Sequence, residues 1–270
     1  MRKIIQRFIL ALIIFTFIIV VGYTYLLSPK DYHFSSYEYI NKNITSELNG
    51  FTIAYLSDIN LTDQKSVTRF EKIVDELNQK DFDMVVIGGD LYDGEVYKAN
   101  SVAEILKKIN CSYGKFALLG EKDQSSALEI TQIFNDGGFE VLNNNSRTIY
   151  YKDASLQLIT CDENTDLTTL STETQTISLL LSHQPDVFQK TKGTIDLQLS
   201  GHSLGGSIYI PYYGALFKAD GAKYYNHGIY KENNSTLIVS NGVSGSKSFP
   251  YKFLARNEIY LISLRITPTK

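Results

Sequence analysis

The chain has 270 residues, 43% of them hydrophobic and 20% charged, a composition that fits a packed globular protein of one large domain or two small ones. A net charge of −3 without a dense Lys/Arg tract gives no electrostatic footprint for nucleic acid, and a nucleic-acid partner is set aside. Cys111 and Cys161 lie far apart with no CxxC; pairing outside the cell stays open, and the apolar neighbours of Cys161 favour a buried free thiol.

Residues 1–7 form a basic stub carrying Arg2, Lys3 and Arg7. Residues 8–27, Phe8 to Leu27, contain no charge; at about 1.5 Å per residue they reach roughly 30 Å, the depth of a bilayer core. The basic stub on one side and Tyr23 and Tyr25 on the other orient this segment with its N-terminus in the cytoplasm and the remainder outside. A cleaved signal peptide needs a shorter apolar core and a small-x-small site, and Ser28-Pro29-Lys30-Asp31 is not one. The segment therefore reads as an uncleaved membrane anchor. Residues 28–49 read as a tether with a strand over Ser36–Ile44, and residues 50–270 as one domain. His33 in the tether reads as a surface residue.

Within that domain, Phe51–Ser57 is a strand ending in Asp58. Gln64–Gln79 spaces Val67, Phe70, Val74 and Leu77 on one helix face. Phe82–Gly89 is a buried strand that runs through two glycines into Asp90, and Tyr97–Ile109 is helical. Lys115–Leu119 is a strand before Gly120-Glu121-Lys122-Asp123, and Ala127–Phe134 is a helix closed by Asp136-Gly137-Gly138. This β-α-β-α-β-α order argues for parallel strands with helices packed on them. Further on, Arg147–Tyr151, Leu156–Cys161, Ile177–Ser182, Asp196–Ser200, Leu237–Ser240 and Glu258–Leu264 read as strands with few helices between them. The fold class is α/β: two packed mixed sheets flanked by helices, behind one N-terminal transmembrane helix.

Five strands end in a carboxylate or an imidazole: Asp58, Asp90, Glu121, His183 and His202. One aspartate past a strand is ordinarily a turn or a cap. Five in register suggest a metal centre outside the carboxyl ends of the strands, and mixed O/N donors suit Mn, Fe or Zn better than Mg or Ca.

In order and spacing these motifs resemble the calcineurin-like metallophosphoesterases, in particular membrane-associated bacterial members, from about Gly50 to Leu264. The matching stretches are Ser57-Asp58-Ile59-Asn60, Gly89-Asp90-Leu91-Tyr92-Asp93-Gly94, Gly120-Glu121-Lys122-Asp123, Ser182-His183-Gln184-Pro185-Asp186 and Gly201-His202-Ser203-Leu204. The resemblance implies a four-layer αββα sandwich and a two-metal phosphoester hydrolase whose ions hold the hydroxide and clamp the phosphate. Carried over by position, it gives the first ion Asp58, Asn60, Asp90 and residue 204, and the second ion Asp90, Glu121, His183 and His202. At the first ion two family histidines are Asn60, a weak ligand, and Leu204, which is none; at the second the family asparagine is Glu121, still an oxygen ligand and now charged. The catalytic histidine is Lys122, a poor general acid near neutrality.

The expectation is one divalent transition-metal ion, with phosphoester hydrolysis weakened or lost. The alternatives are an active phosphoesterase on lipid-linked or cell-wall phosphates, or a non-catalytic domain that binds a protein partner. The expected location is a bacterial cell membrane, single-pass, with the C-terminal domain extracytoplasmic. Gly201-His202-Ser203-Leu204-Gly205 also matches the serine-hydrolase elbow with Ser203 as nucleophile, but Ser207–Gly214 is a poor helix sequence and the other motifs go unexplained. Asp93 and Asp123 read as turn caps or supports of the ligands, His227 as a loop or packing residue, and Lys252 and Arg256 as surface charge.

Overall fold

The structure is a computed structural model that describes residues 1–162 and 176–268. It opens with α1 (Arg2–Leu26), a helix with no buried residue, long and apolar enough to cross a membrane. The strand expected over Ser36–Ile44 runs as β1 (His33–Asn41). It is followed by β2 (Thr52–Leu56), α2 (Gln64–Leu77), β3 (Met84–Gly88), α3 (Ala99–Lys107), β4 (Lys115–Leu118), α4 (Ala127–Asp136) and β5 (Glu140–Val141). The second half carries β6 (Ser146–Tyr151), β7 (Ala154–Thr160), β8 (Ile177–Leu181), α5 (Phe188–Thr191) and β9 (Leu197–Ser200). After them come the hairpin β10 (Tyr209–Ile210) and β11 (Gly214–Ala215), then β12 (Gly228–Glu232), β13 (Ser235–Val239) and β14 (Glu258–Ile266).

Two six-stranded mixed sheets result, in the orders β1-β14-β2-β3-β4-β5 and β12-β13-β9-β8-β7-β6. Strand periodicity explains why they stack. Ile53 and Tyr55 of β2 and Met84 and Val86 of β3 face Leu158, Leu179 and Leu199 of the other sheet. The alternate residues Ala54, Leu56, Val85 and Ile87 face the helices, where Phe70 and Val74 of α2, Leu106 of α3 and Phe134 of α4 meet them. Helix α2 starts at a capping box: the Asp63 carboxylate accepts the Ser66 N–H, and the Ser66 hydroxyl accepts the Asp63 N–H. The outer face of the second sheet has a thinner cover, in which Val187 and Phe188 of a short helical turn pack on Leu180 and Leu237.

The segment after α1 is fastened to the domain. The Ser28 hydroxyl accepts the Lys252 N–H, the Asn257 amide donates to the Ser28 and Asp31 carbonyls, and Arg256 pairs with Asp31 at 3.0 Å. Strand β1 then pairs in parallel with β14, His33 opposite Glu258. His33 is half-buried, with Nδ1 2.9 Å from the Asn257 carbonyl. Lys252 was expected at the surface; it is 2% exposed, and its ammonium donates to the Asn241 carbonyl.

Candidate metal centre

The polar residues gather where β2, β3, β4, β8 and β9 end. At five of these positions the backbone is left-handed, with φ of 50° at Asp58, 51° at Asn60, 55° at Asp90, 67° at His202 and 51° at Leu204. Non-glycine residues rarely adopt this conformation, and its clustering marks a site rather than routine turns. The turn after β4 approaches closely as well: a Cβ on Gly120 would lie 2.1 Å from Asp90 Oδ1, so only glycine lets this loop pass the carboxylate.

Asp58, Asp90 and His183, all buried, each place a donor atom within 4.8 Å of the others. His183 Nε2 stands 3.4 Å from Asp90 Oδ1, and His202 Nδ1 stands 3.4 Å from Glu121 Oε2. Two donors about 2.1 Å from one tetrahedral ion stand about 3.4 Å apart, the separation seen in both pairs. The histidine rings cross at 69° with centroids 5.1 Å apart. Each ring is held from behind by a backbone carbonyl: Gly88 lies 2.7 Å from His183 Nδ1, and Asp220 lies 2.6 Å from His202 Nε2. That contact assigns the proton to the outer nitrogen and turns the inner lone pair toward the centre. His183 Nε2 is buried and makes no hydrogen bond. A buried imidazole nitrogen that faces two carboxylates and makes no hydrogen bond has the disposition of a metal ligand. Asp58, Asp90 and His183 therefore fit one transition-metal ion, and His202 and Glu121 stand paired beside them.

The charges agree. Burial alone would raise the Asp90 carboxyl, but His183 and Lys122 beside it prevail and hold it well below the ordinary carboxylate range. Burial would likewise lower His183, but Asp90 and Asp58 prevail and bring it up to about 10. An ion entering here displaces a proton from His183. Asp123 supports the loops: its carboxylate accepts the N–H groups of Leu91, Tyr92 and Gly120 at 2.9 to 3.3 Å. Burial, then the nearby Asp90, push its pKa up to about 6.

Of the positions expected for a first ion, Asp58 and Asp90 lie in that donor set, and Asn60 and Leu204 are otherwise engaged. The Asp58 carboxylate accepts the His202 N–H at 3.0 and 3.2 Å. Leu204 offers no donor and packs beside Gly242, and Asn60 Oδ1 accepts a hydrogen bond from Lys122 Nζ at 2.8 Å. That ammonium also lies 3.2 Å from Asp90 Oδ2 and 3.2 Å from Asp93 Oδ2. Burial would lower Lys122, but Asp90, Asp58 and Asp93 raise it, so it stays charged. A cation is thus already built into this half of the centre. The part played by Asp93 as a partner of Lys122 had no signal beyond its spacing from Asp90.

The serine-hydrolase arrangement is not formed. The Ser203 hydroxyl accepts the Gly205 N–H, and the helical turn that follows spans only Leu204–Gly206. His227 Nδ1 faces Asn241 Oδ1 at 2.6 Å instead, and its ring lies on Tyr209.

Two grooves reach the centre. One, of ≈ 510 Å³, is bordered by Gly120, Glu121, His183 and Gln184. The other, of ≈ 760 Å³, runs from Asn60 past Arg69 to Pro29 and Lys30, beside the end of α1.

No family model matches the chain. It is 30% identical over 258 residues to a Bacillus subtilis protein described as the uncharacterized metallophosphoesterase YkuE, over 91% of this chain and 90% of that one. It is 33% identical over 204 residues to a Helicobacter pylori protein described as an uncharacterized metallophosphoesterase, over 71% of this chain and 54% of that longer one. A zebrafish transmembrane protein with a metallophosphoesterase domain is 25% identical over 246 residues, 83% of this chain and 55% of its own. Among solved structures, a zebrafish dimetal phosphatase aligns over 72% of this chain and 88% of its own, with a TM-score of 0.40 and 11% identity.

Proposed function

We propose, for a chain that belongs to the metallophosphoesterase family, a membrane-anchored extracytoplasmic phosphoester site that keeps one divalent transition-metal ion and hydrolyses weakly or not at all. The observation that carries this reading is the Lys122 ammonium, held by Asn60, Asp90 and Asp93 where a second cation would otherwise be bound.

Asp58, Asp90 and His183 would hold the ion beside the His202–Glu121 pair, with Gly88 and Asp220 fixing the two rings through their carbonyls. Bound there, a Mn, Fe or Zn ion supplies Lewis acidity toward a phosphoryl oxygen and lowers the pKa of water. Lys122 supplies fixed positive charge toward the same phosphoryl group. Because its neighbours raise its pKa, it holds its proton at neutrality and serves poorly as an acid for the leaving group. One ion and one ammonium in place of two ions leave less charge stabilisation in the transition state.

The groove from Asn60 to Pro29 and Lys30, flanked by Lys65, Arg69, Lys72 and Lys247, favours a lipid-borne phosphate ester over a soluble one. It is basic, and one end lies where the chain leaves α1. A cell-wall phosphate is the second candidate.

The test is metal content of the purified full chain after loading with Mn or Zn, paired with hydrolysis of bis(p-nitrophenyl) phosphate. One ion per chain and slow turnover are expected. Two ions, or none, overturn the one-ion reading. Fast turnover abolished by Asp90→Ala overturns the weak hydrolysis.

A further inference from the structure

The last turns of α1 are in contact with the domain. Val20, Val21 and Tyr25 share an apolar groove of ≈ 300 Å³ with Phe249, Tyr251 and Phe253. Tyr25 stacks on Tyr251 with centroids 4.9 Å apart, Tyr251 meets Phe249 edge-on at 5.4 Å, and Phe249 meets Phe217 at 5.8 Å. An aromatic row thus runs from the helix onto the domain surface. It continues into the β10–β11 hairpin, because the Tyr209 N–H donates to the Phe253 carbonyl and the Leu216 N–H to the Ile208 carbonyl. Tyr212, Tyr213, Leu216 and Phe217 on this hairpin and just after it are exposed. Clustered large apolar residues at one place on a surface mark a contact, unlike scattered single ones.

What they contact follows from the helix. A helix of 25 residues is about 37 Å long, about 7 Å more than the hydrocarbon core it crosses. Residues 2–7, with Arg2, Lys3 and Arg7, take up that excess at the N-terminal end, so Tyr23 and Tyr25 of the last turns meet the far interface, and the side chains packed on those turns stand there too. Tyrosine suits that interfacial layer, its ring buried and its hydroxyl wet, and phenylalanine suits the apolar side of it. Lys218, exposed next to Phe217, suits its anionic phosphates.

We propose that this aromatic collar, Tyr212, Tyr213, Leu216, Phe217 and the Phe249–Phe253 loop, lies in the headgroup layer of the bilayer that α1 crosses. The domain then rests on the membrane instead of standing off it. The proposal rests on α1 being an uncleaved anchor and is independent of whether the centre hydrolyses anything. It has a consequence for the centre: Asp220, whose carbonyl orients His202, follows closely after Phe217 on the same loop. Docking the collar steadies that loop and presents the Asn60–Lys30 groove to lipid headgroups.

The chain contains no tryptophan, so one introduced tryptophan reports alone. The full chain is reconstituted in phosphatidylcholine–phosphatidylglycerol vesicles with brominated or unbrominated acyl chains. The variants are Tyr213→Trp and Phe217→Trp on the collar, Phe15→Trp inside α1, and Tyr150→Trp, 75% exposed on β6. Bromolipid is expected to quench the two collar variants and Phe15→Trp by about twofold or more and to leave Tyr150→Trp unchanged. Quenching of Phe15→Trp alone overturns the collar and leaves the anchor standing. No quenching at Phe15→Trp overturns both. Equal quenching at Tyr150→Trp overturns the assigned orientation. The substituted collar positions are exposed, so the variants keep the core intact.

Discussion

Placing histidines at 60 and 204 is not expected by itself to seat a second ion, because the Lys122 ammonium lies there. Its Nζ lies 2.8 Å from Asn60 Oδ1 and 3.2 Å from Asp90 Oδ2. A divalent ion bound to Asp90 and residue 60 would stand about 4 Å from that nitrogen; at an effective dielectric of about 20 the repulsion is about 8 kcal/mol before any relaxation. If rotation of the lysine relieves three-quarters of this, about 2 kcal/mol remains, a loss of about thirtyfold in affinity. The variant Asn60→His/Leu204→His is therefore expected to bind one ion, and Asn60→His/Leu204→His/Lys122→His to bind two. The assay is elemental analysis after Mn loading and dialysis, with calorimetric titration of the second ion. The ion held by Asp58, Asp90 and His183 should persist in both variants and so controls for misfolding. If the double variant binds its second ion as tightly as the triple variant, the ammonium is no obstacle and the reasoning fails.

Two further outcomes concern buried charges. Burial lowers the Lys252 pKa to about 7, although Asp58 and Glu258 pull the other way. Between about pH 7 and the ordinary lysine range the unfolded chain binds a proton that the folded chain does not, so stability rises with pH across that window. The limit for the full shift is about 5 kcal/mol. Urea unfolding of the full chain in detergent should show a gain from pH 7.5 to 9.5 that Lys252→Met lacks; the same pH response in both chains refutes it. Asp123→Asn swaps one acceptor for a donor opposite three N–H groups and loosens the loop that carries Asp90. Ion affinity should fall by about 10- to 100-fold with the ion count per chain unchanged. A calorimetric titration matching the unaltered chain would refute it.

The central strands were legible because β2, β3 and β8 are short, mostly apolar runs and β9 alternates leucine with polar residues, and the residues at their ends could be read with them. The edge strands were not. In β12, Gly-Ile-Tyr-Lys-Glu shows residues to solvent along its length and carries no apolar stripe. The β10–β11 hairpin is two residues a side, too short for any periodicity. At the centre, residue types disclosed that Asn60 and Leu204 are poor ligands. The position of the Lys122 ammonium depends on how the loops after β3 and β4 meet, which no local pattern encodes. Lys252 reads as surface charge for the same reason: only the packing of its loop against the Ser28 end of the chain buries it.

The pairing of β1 with β14 sets an order of events. The strand that follows the anchor finds its partner only when the last strand arrives, since His33 lies opposite Glu258 and Asn41 opposite Ile266. As the chain is synthesised, β1 waits while everything between is delivered, its edge unpaired. Such a closure of distant segments is slow. The fold is thus completed by its two most distant strands, and nothing short of the whole length between them closes the first sheet.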